Sequence, residues 1–303
     1  MKLMLTYRNR NSFLQKIHPL TSVFLIATYI IVALKLSNPV YLALIFFSVL
    51  LLAYIDNSLK SVLNYGKMII PFAVMIIILN PILVHNGQTI LYQGTFNFPV
   101  LGPIIITKEA ILFGILNGFR IITITIIFGF GNLVIHPDRA FGFFSKIFKK
   151  SALLMSMTIR LFPTMMKSYE NISEIEKLRG NELSTKDMKK SIKNSGNIVN
   201  ILFLSSLEDS QDMAESMYSR GYGALKKRST YFAERYTAWD FTLIFICISI
   251  LVYLEFITFK GFNSFNFYPK VDGVIEKTTR VGLILCVMTF IPAFINWGWK
   301  NWK

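Results

Sequence analysis

LTSVFLIATYIIVALKLSNPVYLALIFFSVLLLAYI, residues 20–55, carries a single charged side chain, Lys35. A bilayer span needs about 20 mostly apolar residues. This stretch holds two apolar runs, 20–36 and 39–55, separated only by Ser37-Asn38-Pro39. Each is short for a full crossing. The pair either forms a tight hairpin through the bilayer or stops before the far side. Four further runs have the same character: 68–84 (MIIPFAVMIIILNPILV), 108–135, 240–259 and 280–299. The whole chain is 53% hydrophobic and only 16% charged, with a mean hydropathy of +0.49. Soluble domains carry roughly 25% charged residues. About six transmembrane helices are expected.

The loops give an orientation. Lys2, Arg8, Arg10 and Lys16 precede the first run, Lys60 and Lys67 follow the second, and Lys300 and Lys303 lie at the end. The loop 85–107 has no Lys or Arg. Positive charge stays on the cytoplasmic side, so both termini and 56–67 are expected inside and 85–107 outside. The uncharged loop is punctuated by Gly, Pro and Asn, and its TILYQ and TFNFPV pieces favour a short β-hairpin. The first twenty residues are basic but polar, without a short apolar core, so no cleaved signal peptide is expected.

Residues 136–236 differ from the rest. They hold 17 Lys or Arg and 11 Asp or Glu, 28 of the 49 charged residues in the chain. Three regions follow: a membrane region over 1–135 with about four spans, a cytoplasmic helical region over 136–236, and a membrane region over 237–303 with about two spans. Within the middle region, 139–159 reads as an aromatic, basic helix at the membrane surface. Around 163–178, Met165, Tyr169 and Ile172 share one helix face, with Lys167, Glu170, Glu174 and Lys177 opposite. Around 197–219, Val199, Leu202, Phe203, Met213, Ala214 and Met217 make a second apolar stripe. STKDMKKSIKNSGN, 184–197, reads as a basic link between them, either a loop throughout or a loop holding a short helix.

Each of these two helical segments closes on Arg-Gly: Arg179-Gly180 and Arg220-Gly221. Glycine after a helix adopts the left-handed conformation that stops it, and Arg in the last turn suits the helix dipole. Capping alone accounts for one such end. Two of them on amphipathic helices of one charged region point towards docking onto a partner.

The net charge of +15 raises nucleic acid as a partner, but cytoplasmic loops of membrane proteins need the same excess. No nucleic-acid partner is expected. Cys247 and Cys286 lie inside apolar runs and read as buried hydrophobes. His18, His85 and His136 are scattered and match no metal-site spacing. No catalytic residue is expected. No Gly-x-x-x-x-Gly-Lys-Ser/Thr is present to cradle nucleotide phosphates. Arg120 sits within the run 108–135, where a charge is costly and is either functional or paired with a polar group of a neighbouring span. Gly114 and Gly118 have the small-xxx-small spacing of close helix packing, read here as packing within the chain. Pro71 and Pro81 are expected to kink the third run.

The segment IRLFPTMMKSYENISEIEKLRG, followed some 40 residues later by EDSQDMAESMYSRGYG, resembles the transmembrane T component of energy-coupling factor transporters, the EcfT/CbiQ family. That family ends two cytoplasmic coupling helices with Ala-Arg-Gly-like signatures. Here they stand as Leu178-Arg179-Gly180 and Ser219-Arg220-Gly221, departing from Ala at the flanking position. KIHPLTS is similar to the family's N-terminal His-Pro-Leu-Thr, and Arg160-Leu-Phe-Pro163 to its Arg-x-x-Pro lead-in. The resemblance covers about 16–259. It implies an all-α membrane protein with a cytoplasmic helical coupling domain, acting as a non-enzymatic scaffold in the prokaryotic cell membrane. It implies two ABC-type ATPase partners docked through Leu178, Arg179, Gly180, Ser219, Arg220 and Gly221. It also implies a membrane S component that captures a vitamin or a transition-metal ion, with Arg120, Arg160 and Pro163 in structural or coupling roles. ATP and Mg are expected on the ATPase subunits, and no cofactor on this chain. A stand-alone secondary transporter or channel is the alternative, disfavoured because the apolar runs hold few acidic groups. A membrane-embedded enzyme is a third reading, without a His, Asp and Glu cluster to support it.

Overall fold

The computed structural model describes residues 12–84, 87–98, 102–135, 139–140, 151–180, 188–224, 236–263, 265–269, 271, 273 and 278–301. The chain divides into two compact units. One joins 1–140 with 234–303, and the other is 141–233.

The first unit contains α1 (Phe13–Lys16), α2 (Pro19–Lys35), α3 (Pro39–Ile55), α4 (Leu59–Leu83), β1 (Ile90–Phe98), β2 (Gly102–Thr107), α5 (Lys108–Val134), α8 (Ala238–Phe259) and α9 (Arg280–Asn301). α2 and α3 start where the sequence supplies both a capping acceptor and a proline at the first turn. Nδ1 of His18 accepts from Leu20 N at 3.2 Å before Pro19. Oδ1 of Asn38 accepts from Val40 N at 2.9 Å before Pro39. α4, α5, α8 and α9 are long and apolar enough to cross a bilayer, while α2 and α3 have 17 residues each. At 1.5 Å per residue the shorter pair rises about 25 Å, the lower end of a spanning length. The architecture is that of an α-helical, multi-pass membrane protein.

α2 packs against α3, α5 and α8, α3 against α9, and α4 against α5. Among the described residues Val32, Ala33, Tyr41, Leu42, Ile45, Leu52, Ile127, Leu254 and Leu285 form the core. Gly114 and Gly118 let α4 and α5 approach closely. A Cβ at Gly118 would stand 2.7 Å from Cγ1 of Ile77, and one at Gly114 would stand 3.2 Å from the Ile77 carbonyl oxygen. Their spacing therefore serves packing within the chain. α4 runs through both Pro71 and Pro81 and starts at Leu59, so Lys60 and Lys67 lie on the helix rather than in a loop before it. Cys247 and Cys286 are free and buried.

The hairpin between α4 and α5 exists, with a different pairing from the expected one. Residues 90–93 of TILYQ and 95–98 of TFNFPV are successive parts of β1, and their antiparallel partner is GPIIIT, 102–107. Thr107 ends β2 and caps α5, accepting from Ala110 N at 3.3 Å. The single glycine inside β1 does not break it. The register shifts between Gln93 and Asn97, so a bulge absorbs the irregularity.

The second unit contains α6 (Ser151–Leu178) and α7 (Met188–Ser219), which pack together. Three expectations change here. Residues 151–159 belong to α6 rather than to a separate surface helix, and 141–150 lie outside the described residues. Pro163 and the backbone of Arg160 therefore lie within α6 and not ahead of it. Most of the expected link 184–197 is helix: α7 begins at Met188 and continues through Gly196, an exposed position in open space. Burial of Ile198 just beyond outweighs the weak helix propensity of Asn194, Ser195 and Gly196, each costing at most about 1 kcal/mol relative to Ala.

Candidate functional site: two capped helix ends

Both Arg-Gly dipeptides terminate helices by the same device. Gly180 has φ +84° and Gly221 φ +76°, the left-handed region where a side chain is strained. At the end of α7, Tyr222 N donates to the Met217 carbonyl at 3.0 Å and Gly221 N to the Tyr218 carbonyl at 2.9 Å. That pair of bonds is a Schellman cap. At the end of α6, Gly180 N donates to the Lys177 carbonyl at 3.0 Å. Each arginine thus stands between the last helical residue, Leu178 or Ser219, and the left-handed glycine, at the end of the rod.

The two arginines differ in surroundings. Arg179 donates through Nη1 to Oε1 of Glu176 at 3.2 Å. The arginine side chain is 66% exposed and that of Glu176 only 7%. Arg220 is exposed, and its side chain forms no hydrogen bond or ion pair with the described residues; only its backbone N–H donates, to the Ser216 carbonyl at 3.3 Å. Its side chain lines a groove of about 430 Å³ with Met157, Leu161 and Thr164 of α6 and Met213, Ser216 and Met217 of α7. The C-terminal end of α7 therefore lies beside the first half of α6. Thr164, the nearest of these α6 residues to Arg179, is 15 residues short of it, so the groove beside Arg220 lies at least about 22 Å from Arg179 along α6.

Beside each arginine stands a large exposed apolar side chain, Leu178 at 88% and Tyr218 at 84%. Leu178 is among the sequence-derived site residues, and Tyr218 is not. Tyr218 falls one step off the Met213–Met217 stripe, and an aromatic residue on the polar face is the signal that marks it. The stripes themselves are not covered inside this unit. Met165, Tyr169, Val199 and Phe203 are exposed, while Ser173, Glu176 and Ile198 are buried. The face that α6 and α7 share is narrower than their apolar patterns.

The remaining candidates lie elsewhere. Arg120 is half-buried in the first unit. It donates from Nη2 to the Leu36 carbonyl at 2.9 Å and from Nη1 to Oδ1 of Asn117 at 3.2 Å. Leu36 caps the C-terminal end of α2, so Arg120 meets the negative end of that helix dipole. The side chain of Arg160 lies outside the described residues. Pro163 is exposed within α6. No group of His, Cys, Asp and Glu suited to a metal occurs among the described residues.

Comparison with known proteins bears on the same segments. The family model described as cobalt transport protein, CbiQ, matches residues 10–231. The chain is 24% identical over 261 residues to the energy-coupling factor transporter transmembrane protein EcfT of Staphylococcus aureus, covering 83% of this chain and 95% of that protein. It is 25% identical to the EcfT of Macrococcus caseolyticus, over 79% of this chain and 93% of the other. It is also 25% identical to the EcfT of Listeria innocua, over 80% and 91%. The family match spans most of the chain and includes both capped helix ends, so the chain belongs to the EcfT/CbiQ family of membrane transport proteins.

Proposed function

We propose that this chain is the transmembrane T component of an energy-coupling factor importer, a scaffold without catalytic residues of its own. Its capped helix ends dock two ABC-type ATPase subunits, and its apolar surfaces hold a substrate-binding S component. The observation that carries the reading is the pair of helix ends closed by a left-handed glycine. Each presents an arginine beside an exposed apolar residue, and the groove beside Arg220 lies at least about 22 Å from Arg179 along α6. A single partner cleft would want the two arginines together, whereas two separate subunits want them apart.

Leu178, Arg179 and Gly180 form one docking end, and Ser219, Arg220 and Gly221 the other, with Tyr218 added by its exposure. Gly180 and Gly221 set the direction of the chain, and the arginines supply charge-assisted donors for carboxylates or carbonyls on the ATPases. ATP and Mg belong to those subunits. The uncovered stripes on α6 and α7 suit an apolar partner such as a small membrane protein. The cargo is a vitamin or a transition-metal ion held by that S component.

The reading requires 141–233 on the side where ATP is present, with both termini there too and the membrane that of a prokaryotic cell. Single cysteines at Tyr92 and at Lys189, in a background without Cys247 and Cys286, should be labelled by an impermeant maleimide from opposite sides. Tyr92 should react in intact cells and Lys189 only in inverted vesicles. Labelling of both in intact cells would place Arg179 and Arg220 beyond the reach of cytoplasmic ATPases and rule the reading out.

A further inference from the structure

The segment Ser12–His18, ahead of α2, touches both strands of chain that lead to and from residues 141–233. On the leading side, Nε2 of Gln15 donates to the Leu133 carbonyl in the last turn of α5 at 2.9 Å. The guanidinium of Arg139 then donates to the carbonyls of Gln15 and Lys16. On the returning side, His18 N donates to Oδ1 of Asp240 at 2.8 Å. The ring of Tyr236 stacks on the His18 imidazole with centroids 4.1 Å apart and planes at 17°. Phe13 meets Trp239 edge-on at 5.9 Å and Trp299 of α9 at 5.2 Å. Phe13, Leu14, Gln15, Ile17 and His18 are all buried.

We propose that Ser12–His18 is the joint through which movement of the 141–233 unit reaches the membrane helices. This rests on the scaffold reading above. Chain that leaves a bundle through slack linkers passes little displacement to it, because the linker's own conformations absorb the motion. Here neither strand is slack at its root. Arg139 and Tyr236, close to the two boundaries of that unit, are both fastened to one short buried segment. That segment continues through His18-Pro19 into α2, which packs against α3, α5 and α8. A displacement of either strand therefore bears on α2 and, through it, on three other helices. Arg139 and Tyr236 are positioning residues: they bind no ligand, and they act through the segment they hold.

The test uses the full complex, this chain with its ATPase subunits in lipid nanodiscs. Hydrogen exchange over residues 19–35 is compared with and without ATP and vanadate, alongside ATP hydrolysis and subunit retention. Tyr236→Phe keeps the stacked ring and should behave as wild type. Tyr236→Ala and Arg139→Ala should keep the ATPase subunits and hydrolysis, while the nucleotide-dependent change over 19–35 falls by about fivefold or more. A merely structural role would not separate those readouts. Nucleotide-dependent change of wild-type size in both alanine variants would overturn the joint. So would loss of the ATPase subunits from both, which would make the segment a docking element instead. A wild-type chain that carries no ATPase subunits would sink the scaffold reading itself, and this shows before any variant is compared.

Discussion

The double variant Arg179→Glu/Arg220→Glu is expected to reach the membrane in normal amount, lose its ATPase subunits on purification and support no uptake. In the proposed docking, each arginine meets an acceptor across a desolvated contact. Reversing one puts like charges face to face, a penalty of several kcal/mol and roughly a hundredfold or more in affinity for each end. The single variants separate docking from capping. Arg179→Glu also sets a carboxylate beside Glu176, now its ion-pair partner, and against the helix terminus, which alone costs a few tenths to about 1 kcal/mol. Arg220 has no such partner among the described residues, so Arg220→Glu reports on docking with little local cost. Alanine at either position should be milder. Lysine should be intermediate, since it keeps the charge without the planar fork. Normal uptake and retained ATPases in the double variant would leave capping as the whole role of both arginines.

The second large effect is on stability. Asp240, at the start of α8, is fully buried. It accepts from Thr237 N at 2.7 Å, from Oγ1 of Thr237 at 2.6 Å and from His18 N at 2.8 Å. Asp240→Ala removes the acceptor of a buried backbone N–H and undoes the start of α8, while relieving the cost of burying a carboxylate. The net loss is expected at about 2–4 kcal/mol, read as a lowered unfolding midpoint in detergent. Asp240→Asn keeps an oxygen for His18 N and should lose about half as much. An alanine variant with the wild-type midpoint would contradict the bonding described.

The helices were largely legible because long apolar runs have few alternatives in a bilayer. The run 39–55 coincides with α3, and the run 20–36 lies one residue along from α2. Legibility fell where tertiary contact competes with local propensity. Asn194-Ser195-Gly196 reads as a loop yet continues α7, and Lys60 and Lys67 read as loop charges yet ride on α4. The hairpin was visible as β-type composition, but composition carries no register, and GPIIIT was passed over as its second strand. At the candidate site the Arg-Gly ends were visible as helix stops. The groove beside Arg220 was not, because it depends on which stretch of α6 lies against α7. Arg120 illustrates the limit from the other side. Its cost in a span is evident from sequence, while its acceptor, the Leu36 carbonyl 84 positions away, is a property of the packing.

The scaffold claim is tested most directly by purifying the tagged chain from its native membranes and measuring what accompanies it. The expected result is two nucleotide-binding subunits per chain, each with a phosphate-binding loop, and ATP hydrolysis that stays with those subunits when the chain is separated from them. A chain that purifies without such subunits, or that hydrolyses ATP after they are removed, would contradict it.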